Sequence, residues 1–146
     1  MKIEKLLAPI DFSPLSRHAL IEADRRACAS NARLHLLHVH QIVEVALLDF
    51  TYVEPAEKIS EICDALENQL REWATELKTP QEHISIAVHT GVPAHEIIQA
   101  SHQFDLIVMG THGRTGISHF LMGSVTERVV QGAHCSVLIY KHQDDR

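Results

Sequence analysis

Residues 105–127 read DLIVMGTHGRTGISHFLMGSVTE and predict a strand, a glycine-rich loop and the start of a helix. The segment 106–109 is apolar throughout, as strands of buried parallel sheets are. Four of the six glycines of the chain follow it, namely Gly110, Gly113, Gly116 and Gly123. Glycine lets a backbone approach a ligand closely, and successive N–H groups in such a loop can hold an anion. The stretch predicts an anion-binding loop, with a plain flexible connection as the alternative.

The end of this stretch predicts a helix that begins at the loop. Ser124 and Glu127 have the spacing of a capping box, in which Ser124 caps the helix and Glu127 reaches back. Gly123 and Ser124 would then lie at a helix N-terminus, whose free N–H groups and partial positive charge favour phosphate. Ligands of open α/β sheets bind at the carboxyl ends of strands, where the strand order reverses. The P-loop motif GxxxxGK[ST] and the dinucleotide fingerprint GxGxxG are both absent.

Outside this stretch, strands and helices alternate along the chain. Apolar runs predict strands at 3–10, 34–39, 84–88, 106–109 and 136–140. Helical periods predict helices at 14–30, 57–78 and 125–131, with a short helix around Ile97 and Ile98. Residues 40–56 are apolar without a clean period and are interpreted as a long connection with some helical content. The alternation predicts an α/β domain over 1–146, with a parallel sheet covered by helices on both faces.

Composition and charge narrow the functional classes. The length of 146 residues fits one ordinary domain. The net charge of −6 disfavours general nucleic-acid binding, which rests on basic residues. No apolar stretch approaches the roughly 20 residues of a membrane span, and the N-terminus has too short an apolar run for a signal peptide. Three widely spaced cysteines form no CxxC pair and favour reduced thiols. We therefore expect a soluble cytoplasmic protein without membrane insertion.

Several motifs together resemble one known family. The pattern Gly110-x2-Gly113-x9-Gly123-Ser124 has the spacing of the ATP-binding motif of universal stress proteins. The segments PIDFS at 9–13, LHV at 37–39, DLIVMGTHG at 105–113 and CSVL at 135–138 resemble conserved segments of that family. The resemblance covers nearly the whole chain, and it is to the branch of the family that keeps the glycine motif and binds ATP.

The resemblance implies a three-layer α/β/α domain of the adenine nucleotide alpha hydrolase-like fold, with a five-stranded parallel sheet. It implies an adenine nucleotide across the ends of the first and fourth strands. By position, Val39 would meet adenine, and Pro9 and Asp11 would line the adenine–ribose part. Met109, Gly110 and Gly113 would follow the ribose and α-phosphate. Gly123, Ser124 and Val125 would hold the outer phosphates. For Asp11, a local turn-capping role is the alternative.

The resemblance also implies a function and partners. We expect ATP, with Mg²⁺ as a companion whose ligands come mostly from the phosphates, and a homodimer formed through Ser136–Tyr140. The expected role is a nucleotide-dependent regulator of the stress response. A slow ATP hydrolase of the same fold and a dimer that binds no nucleotide are the alternatives. A phosphoacceptor receiver domain is rejected, because no acidic pair follows the first strand and no Asp ends the third.

The remaining polar residues predict no dedicated catalytic or metal site. The chain has 12 histidines, but His35 and His38 are three positions apart and would point to opposite faces of a strand. His112 is interpreted as a loop-packing residue. Arg114 could contact a phosphate or point to solvent.

Overall fold

A computed structural model of the protein describes residues 1–112 and 122–141. The strands of this part are β1 (Lys5–Pro9), β2 (Arg33–His40), β3 (Glu44–Leu47), β4 (Phe50–Val53), β5 (Ile84–Thr90), β6 (Leu106–Gly110) and β7 (Ser136–Tyr140). The helices are α1 (Pro14–Ser30), α2 (Ala56–Thr75), α3 (Pro93–Ala100) and α4 (Ser124–Gly132). Short 3-10 turns at 81–83 and 101–103 precede β5 and β6.

Five of these strands form one parallel sheet in the order β5-β2-β1-β6-β7. Side chains that alternate along the strands belong to two separate cores, one on each face of the sheet. Leu6 and Leu36 pack with α1 and α2, whereas Leu7 and Ile107 pack with α3 and α4. The predicted three-layer α/β/α fold with a five-stranded parallel sheet is confirmed.

The strand order reverses between β1 and β6, and pairing there is short. β1 pairs with β2 at five positions, from Lys5 to Pro9. It pairs with β6 at only two, through Leu6 and Leu7. Beyond Leu7 the two strands separate toward their carboxyl ends, so a crevice opens at the edge of the sheet. This is the position at which open α/β sheets bind ligands.

Helix α1 begins as the sequence predicts. The Ser13 hydroxyl accepts a hydrogen bond from the Ser16 backbone N–H at 3.1 Å, and Pro14 occupies the first turn. Both features favour a helix start at this point. The helix ends at Asn31, which adopts the left-handed conformation with φ of 52° and donates its N–H to the carbonyls of Ala27 and Cys28. The direction of α1 is thus fixed at both ends.

The interpretation of residues 40–56 as a partly helical connection is wrong. The structure has a two-stranded antiparallel hairpin there, formed by β3 and β4. Val45 and Leu47 alternate with smaller or polar residues, and β4 contains only residues that favour strands. The strands are joined by the two-residue turn Leu48–Asp49, which has none of the glycine or asparagine signals usual for hairpins.

Helix α2 ends at Thr75, three residues before the predicted Lys78. The reason lies in α1, where the buried carboxylate of Asp24 accepts three hydrogen bonds from the chain after α2. The donors are the backbone N–H of Lys78 at 3.0 Å, the backbone N–H of Thr79 at 2.8 Å and the Thr79 hydroxyl at 2.7 Å. These contacts draw the chain out of the helix and tie the α2–β5 connection to α1.

We expect Asp24→Ala to lower the free energy of unfolding by about 2–3 kcal/mol, because it leaves buried N–H donors without an acceptor. Urea unfolding followed by the fluorescence of Trp73 measures this. Glu61→Ala, which removes an exposed carboxylate from α2, is the control and should change stability by less than about 0.5 kcal/mol. Equal stability of the two variants would contradict the structural role of Asp24.

The stability of the folded state depends on pH through His35 in β2. Its imidazole hydrogen bonds the Ser85 hydroxyl at 2.7 Å and stacks on Phe104. Burial lowers the pKa of His35 from its usual 6.5, and the nearby His89 lowers it further. The folded chain therefore favours the neutral ring. As the pH falls below about 6.5, the unfolded chain takes up a proton that the folded chain resists, and the folded state loses stability.

The His35→Gln variant removes this proton uptake. We therefore expect the free energy of unfolding to decline less in the variant than in the parent when the pH falls from about 7.5 to about 5.5. Urea unfolding at the two pH values gives both declines. An equal decline in the two proteins would show that His35 does not contribute to it.

In the part of the chain that the structure describes, no helix is long and apolar enough to cross a lipid bilayer.

Candidate functional site

The crevice between β1 and β6 widens into a cleft of about 370 Å³ at the carboxyl edge of the sheet. We call it the carboxyl-edge cleft. The described residues that line it are Pro9, Ile10, Asp11, Ser16, Leu37, His38, Val39, Gln41, Pro93, Ile97, Met109, Gly110, His112, Gly123, Ser124, Val125 and Thr126. Eight of the nine residues predicted from the sequence line it, whereas Gly113, like Arg114, lies outside the described residues.

One wall of the cleft is apolar. It consists of Leu37 and Val39 from β2, Met109 from β6, and Ile97 and Val125 from the helices on one face of the sheet. Leu37, Ile97 and Met109 are buried in the core beneath the cleft. A flat apolar ring can therefore enter the space without displacing polar groups that the protein has already satisfied.

The N-terminus of α4 also lines the cleft. Gly123 is the N-cap, in an extended conformation with φ of −62°, and no side chain among the described residues caps the helix. Its own N–H donates to the Thr111 carbonyl at 2.6 Å, and the first intrahelical bond runs from the Glu127 N–H to the Gly123 carbonyl at 2.9 Å. The N–H groups of residues 124–126 precede that first bond and have no partner within the helix.

The predicted capping box is therefore wrong. Ser124 is the first residue of α4 and does not cap it, because the chain already turns into the helix at Gly123. No hydroxyl among the described residues caps this terminus, which lies beside the cleft. A terminus that no described side chain caps suits an anion better than the predicted box, since the box would already use the backbone N–H groups of Ser124 and Glu127.

Two glycines of the cleft leave little room for a side chain. A Cβ atom on Gly110 would lie 2.8 Å from Leu15 Cγ in α1, which is closer than side chains tolerate. A Cβ atom on Gly123 would lie 3.1 Å from the Cα of His112. The two glycines thus let α1 and the 111–112 backbone close against the ends of β6 and α4.

A side-chain hydrogen bond joins the N-terminal turn of α4 to the end of β6. The buried hydroxyl of Thr126 donates to the Gly110 carbonyl at 2.9 Å. This bond ties the first turn of α4 to the last residue of β6. From the sequence, Thr126 is only part of a helix start, and the spacing of the glycines does not indicate this contact.

The end of β1 has an unusual backbone. Phe12 adopts φ of 62°, which is rare for a bulky residue and costs energy. Its ring packs 4.9 Å from the His38 ring and 5.3 Å from Trp73, and these contacts hold the conformation. The turn places Asp11 in the cleft lining, while its Oδ1 accepts a hydrogen bond from the Ser13 N–H at 2.9 Å. Asp11 therefore has the turn role that the sequence left open and also faces the cleft.

Several residues of the cleft were not among the predicted site residues. His38 is buried, with Nδ1 2.6 Å from the Ile10 carbonyl. Gln41 follows β2 immediately, and Pro93 and Ile97 lie one helical turn apart on α3. The i, i+4 spacing of Pro93 and Ile97 is the one signal that could have placed them on a common face. His112, interpreted as a loop-packing residue, lines the cleft as well.

The fold and the cleft define a doubly wound α/β protein with a ligand-sized cleft at the reversal of strand order. The chain belongs to the universal stress protein family, whose model matches residues 2–141. A universal stress protein of Methanocaldococcus jannaschii is 35% identical over 145 residues, which cover 94% of this chain and 82% of the relative.

Solved structures of the family have the same fold. The universal stress protein UspA from Lactobacillus plantarum superposes with a TM-score of 0.72 at 26% identity, over 97% of this chain and 99% of that one. A universal stress protein crystallised in complex with cAMP gives a TM-score of 0.70 at 22% identity, over 97% of this chain and 98% of that one. At that identity the second likeness is one of fold alone.

We expect Thr126→Val to lower the free energy of unfolding by about 1–2 kcal/mol, because the Gly110 carbonyl loses a buried hydrogen-bond donor while the shape of the side chain is kept. Urea unfolding measures the change. Thr126→Ser keeps the hydroxyl and is the matched control, which should retain more of the stability than the valine variant. A valine variant as stable as the parent would show that the bond between α4 and β6 is unimportant.

Proposed function

We propose that the carboxyl-edge cleft binds ATP and that the protein acts as a nucleotide-dependent regulator in the stress response. The observation that supports this most directly is the meeting, in one cleft, of an apolar slot with a helix N-terminus that no described side chain caps. A nucleotide needs both features, because its base is flat and largely apolar and its phosphates are anionic. The position at the reversal of strand order is the usual one for such ligands.

The apolar slot is assigned to the adenine ring. Val39 would meet the ring from β2, and Pro9 at the end of β1 would line the adenine–ribose part. Met109, at the end of β6, would follow the ribose and α-phosphate. Asp11 is assigned to the ribose, since a carboxylate at the cleft can accept hydrogen bonds from sugar hydroxyls. These assignments follow the resemblance to the family.

The N-terminus of α4 is assigned to the phosphates. Gly123, Ser124 and Val125 would hold the outer phosphates through backbone N–H groups and the positive end of the helix dipole. Gly110 would follow the ribose and α-phosphate from the end of β6, and Gly113 is assigned to the same part of the ligand by the motif alone. A bound Mg²⁺ would take most of its ligands from the phosphates. In residues 1–112 and 122–141, no group of three or more His, Cys, Asp or Glu could hold a metal by itself.

The proposal includes a homodimer in the cytoplasm. β7 is an edge strand of the five-stranded sheet and pairs only with β6 among the described strands. An apolar edge strand is prone to pairing unless it is covered, and a second copy of the chain would cover it across a two-fold axis. ATP binding would then act on the partner contacts of the dimer, with slow hydrolysis as the alternative role of the same cleft.

Ser124→Asp separates the phosphate assignment from effects on folding. A carboxylate at the first residue of α4 interacts favourably with the helix dipole, so stability should stay equal or rise. The same carboxylate would repel the phosphates, and we expect ATP affinity to fall at least about tenfold, which is about 1.4 kcal/mol. Calorimetric titration of nucleotide-free protein with ATP and Mg²⁺ measures the affinity, and urea unfolding measures the stability.

Gln131→Glu adds the same charge on the exposed side of α4, away from the cleft lining, and should leave ATP affinity unchanged.

Titrations with ADP, AMP and cAMP establish which nucleotide the cleft prefers, and phosphate release during incubation with ATP measures turnover. Folded parent protein that binds none of these nucleotides would refute the proposal. Unchanged ATP affinity in the Ser124→Asp variant would refute the phosphate assignment.

A further inference from the structure

The hairpin formed by β3 and β4 has an unusually apolar surface. Of the twelve large hydrophobic residues exposed in the described chain, seven lie within residues 42–53, a segment we call the 42–53 hairpin. They are Ile42, Val43, Val45, Leu47, Leu48, Phe50 and Val53, and Leu47 and Phe50 are 66% and 61% exposed. Exposed apolar residues that occur singly are normal, whereas such a concentration is typical of an interaction site.

The pairing of the strands collects part of this surface on one face. Val45 is opposite Tyr52, and Leu47 is opposite Phe50. Residues two apart in a strand, and residues directly opposite each other, point to the same side. This face of the 42–53 hairpin is therefore entirely apolar or aromatic. A two-stranded hairpin is marginally stable by itself, so an additional layer or strand would stabilise it.

Among the strands that the structure describes, β4 pairs only with β3, so its outer edge is available to a further strand in this part of the chain. The Glu54 N–H donates to the Val43 carbonyl at 3.1 Å across the hairpin. The backbone N–H and C=O groups of successive residues alternate in direction along an antiparallel strand. The backbone groups of Phe50 and Tyr52 therefore also point toward β3, and those of Thr51 and Val53 point away from it. The sequence of β4, FTYV, has no lysine, proline or charge, which are the features that usually protect an edge strand.

The charge around the 42–53 hairpin selects the type of partner. Residues 34–57 contain no lysine or arginine and four acidic residues, namely Glu44, Asp49, Glu54 and Glu57. Lys58, which follows on α2, is a nearby cation and interacts with Glu54. Glu54 is buried and pairs with His40, at 3.0 Å. The three others are exposed. Their negative charge opposes the same hairpin of a second copy and an anionic lipid surface, and it attracts a cationic chain.

We propose that the 42–53 hairpin docks an extended segment of a partner protein in which apolar residues alternate with lysine or arginine. The segment adds to the outer edge of β4 through the backbone groups of Thr51 and Val53. Its apolar side chains extend the face of Phe50 and Tyr52, and its basic side chains lie among the exposed carboxylates. This site is separate from the carboxyl-edge cleft, and its existence does not depend on nucleotide binding.

The test uses the full chain and a fluorescent peptide of seven alternating valine and lysine residues. Fluorescence anisotropy should show saturable binding to the parent protein. Phe50→Ser should weaken binding at least about tenfold, because it removes an aromatic anchor from the apolar face. Ile21→Ser removes an exposed apolar side chain from α1 and is the matched control, with unchanged affinity expected.

Thr51→Pro tests strand addition specifically. Proline removes the outward N–H of Thr51 while the inward bonds of Phe50 and Tyr52 remain, and edge strands tolerate proline. We expect peptide binding to be lost in this variant, while urea unfolding and ATP titration match the parent. A peptide with glutamate in place of lysine should not bind. A valine–lysine peptide with alternate backbone nitrogens methylated should bind at least about tenfold more weakly than the unmethylated peptide.

Four results would overturn the proposal. The first is a parent chain that does not bind the valine–lysine peptide, and the second is equal binding by the parent, Phe50→Ser and Thr51→Pro proteins. The third is a concentration-dependent dimer in sedimentation that Phe50→Ser abolishes, which would assign the 42–53 hairpin to a second copy. The fourth is Phe50-dependent binding to phosphatidylcholine–phosphatidylserine vesicles, which would assign it to a lipid surface.

Discussion

The short pairing of β1 with β6 is the constraint on which the rest of the structure depends. The two strands share only the positions of Leu6 and Leu7, because the chain crosses from one half of the sheet to the other between them. α1 and α2 therefore cover one face, and α3 and α4 cover the other. Beyond Leu7 the strand ends have no common ladder, so the space between them is available to a ligand. The cleft is thus a consequence of the topology and not of any single side chain.

Given this opening, backbone contacts determine its shape. The Gly123 N–H bonds the Thr111 carbonyl, and the Thr126 hydroxyl bonds the Gly110 carbonyl, so α4 is fixed to the end of β6 on two sides. These bonds satisfy groups next to the cleft. Because the bonds fix the first turn of α4 beside the cleft, the binding of a ligand there would require little reorganisation of the backbone.

The sequence predicted the strands and helices of the main sheet because each buried strand is an apolar run and each long helix has an apolar stripe. The glycine spacing, together with the family resemblance, predicted residues that the structure brings into one cleft. The 42–53 hairpin was missed because its apolar residues are exposed. The spacing of apolar residues predicts a strand when one face is buried, and this hairpin has no such face. The early end of α2 was missed because Asp24, which causes it, lies more than 50 residues earlier in the chain. Such a contact leaves no local signal.

The cleft and the 42–53 hairpin are connected through the last residues of β2. Val39 and Gln41 line the cleft, whereas His40, between them, pairs with Glu54 at the base of the hairpin. Alternate residues of an extended chain point to opposite sides, so one short segment serves both surfaces. The hydrogen bond from His40 lowers the pKa of Glu54 and keeps its carboxylate charged, and the same carboxylate accepts the Val43 N–H at 3.4 Å. The orientation of the hairpin relative to the cleft is therefore set by a polar contact directly behind the cleft wall.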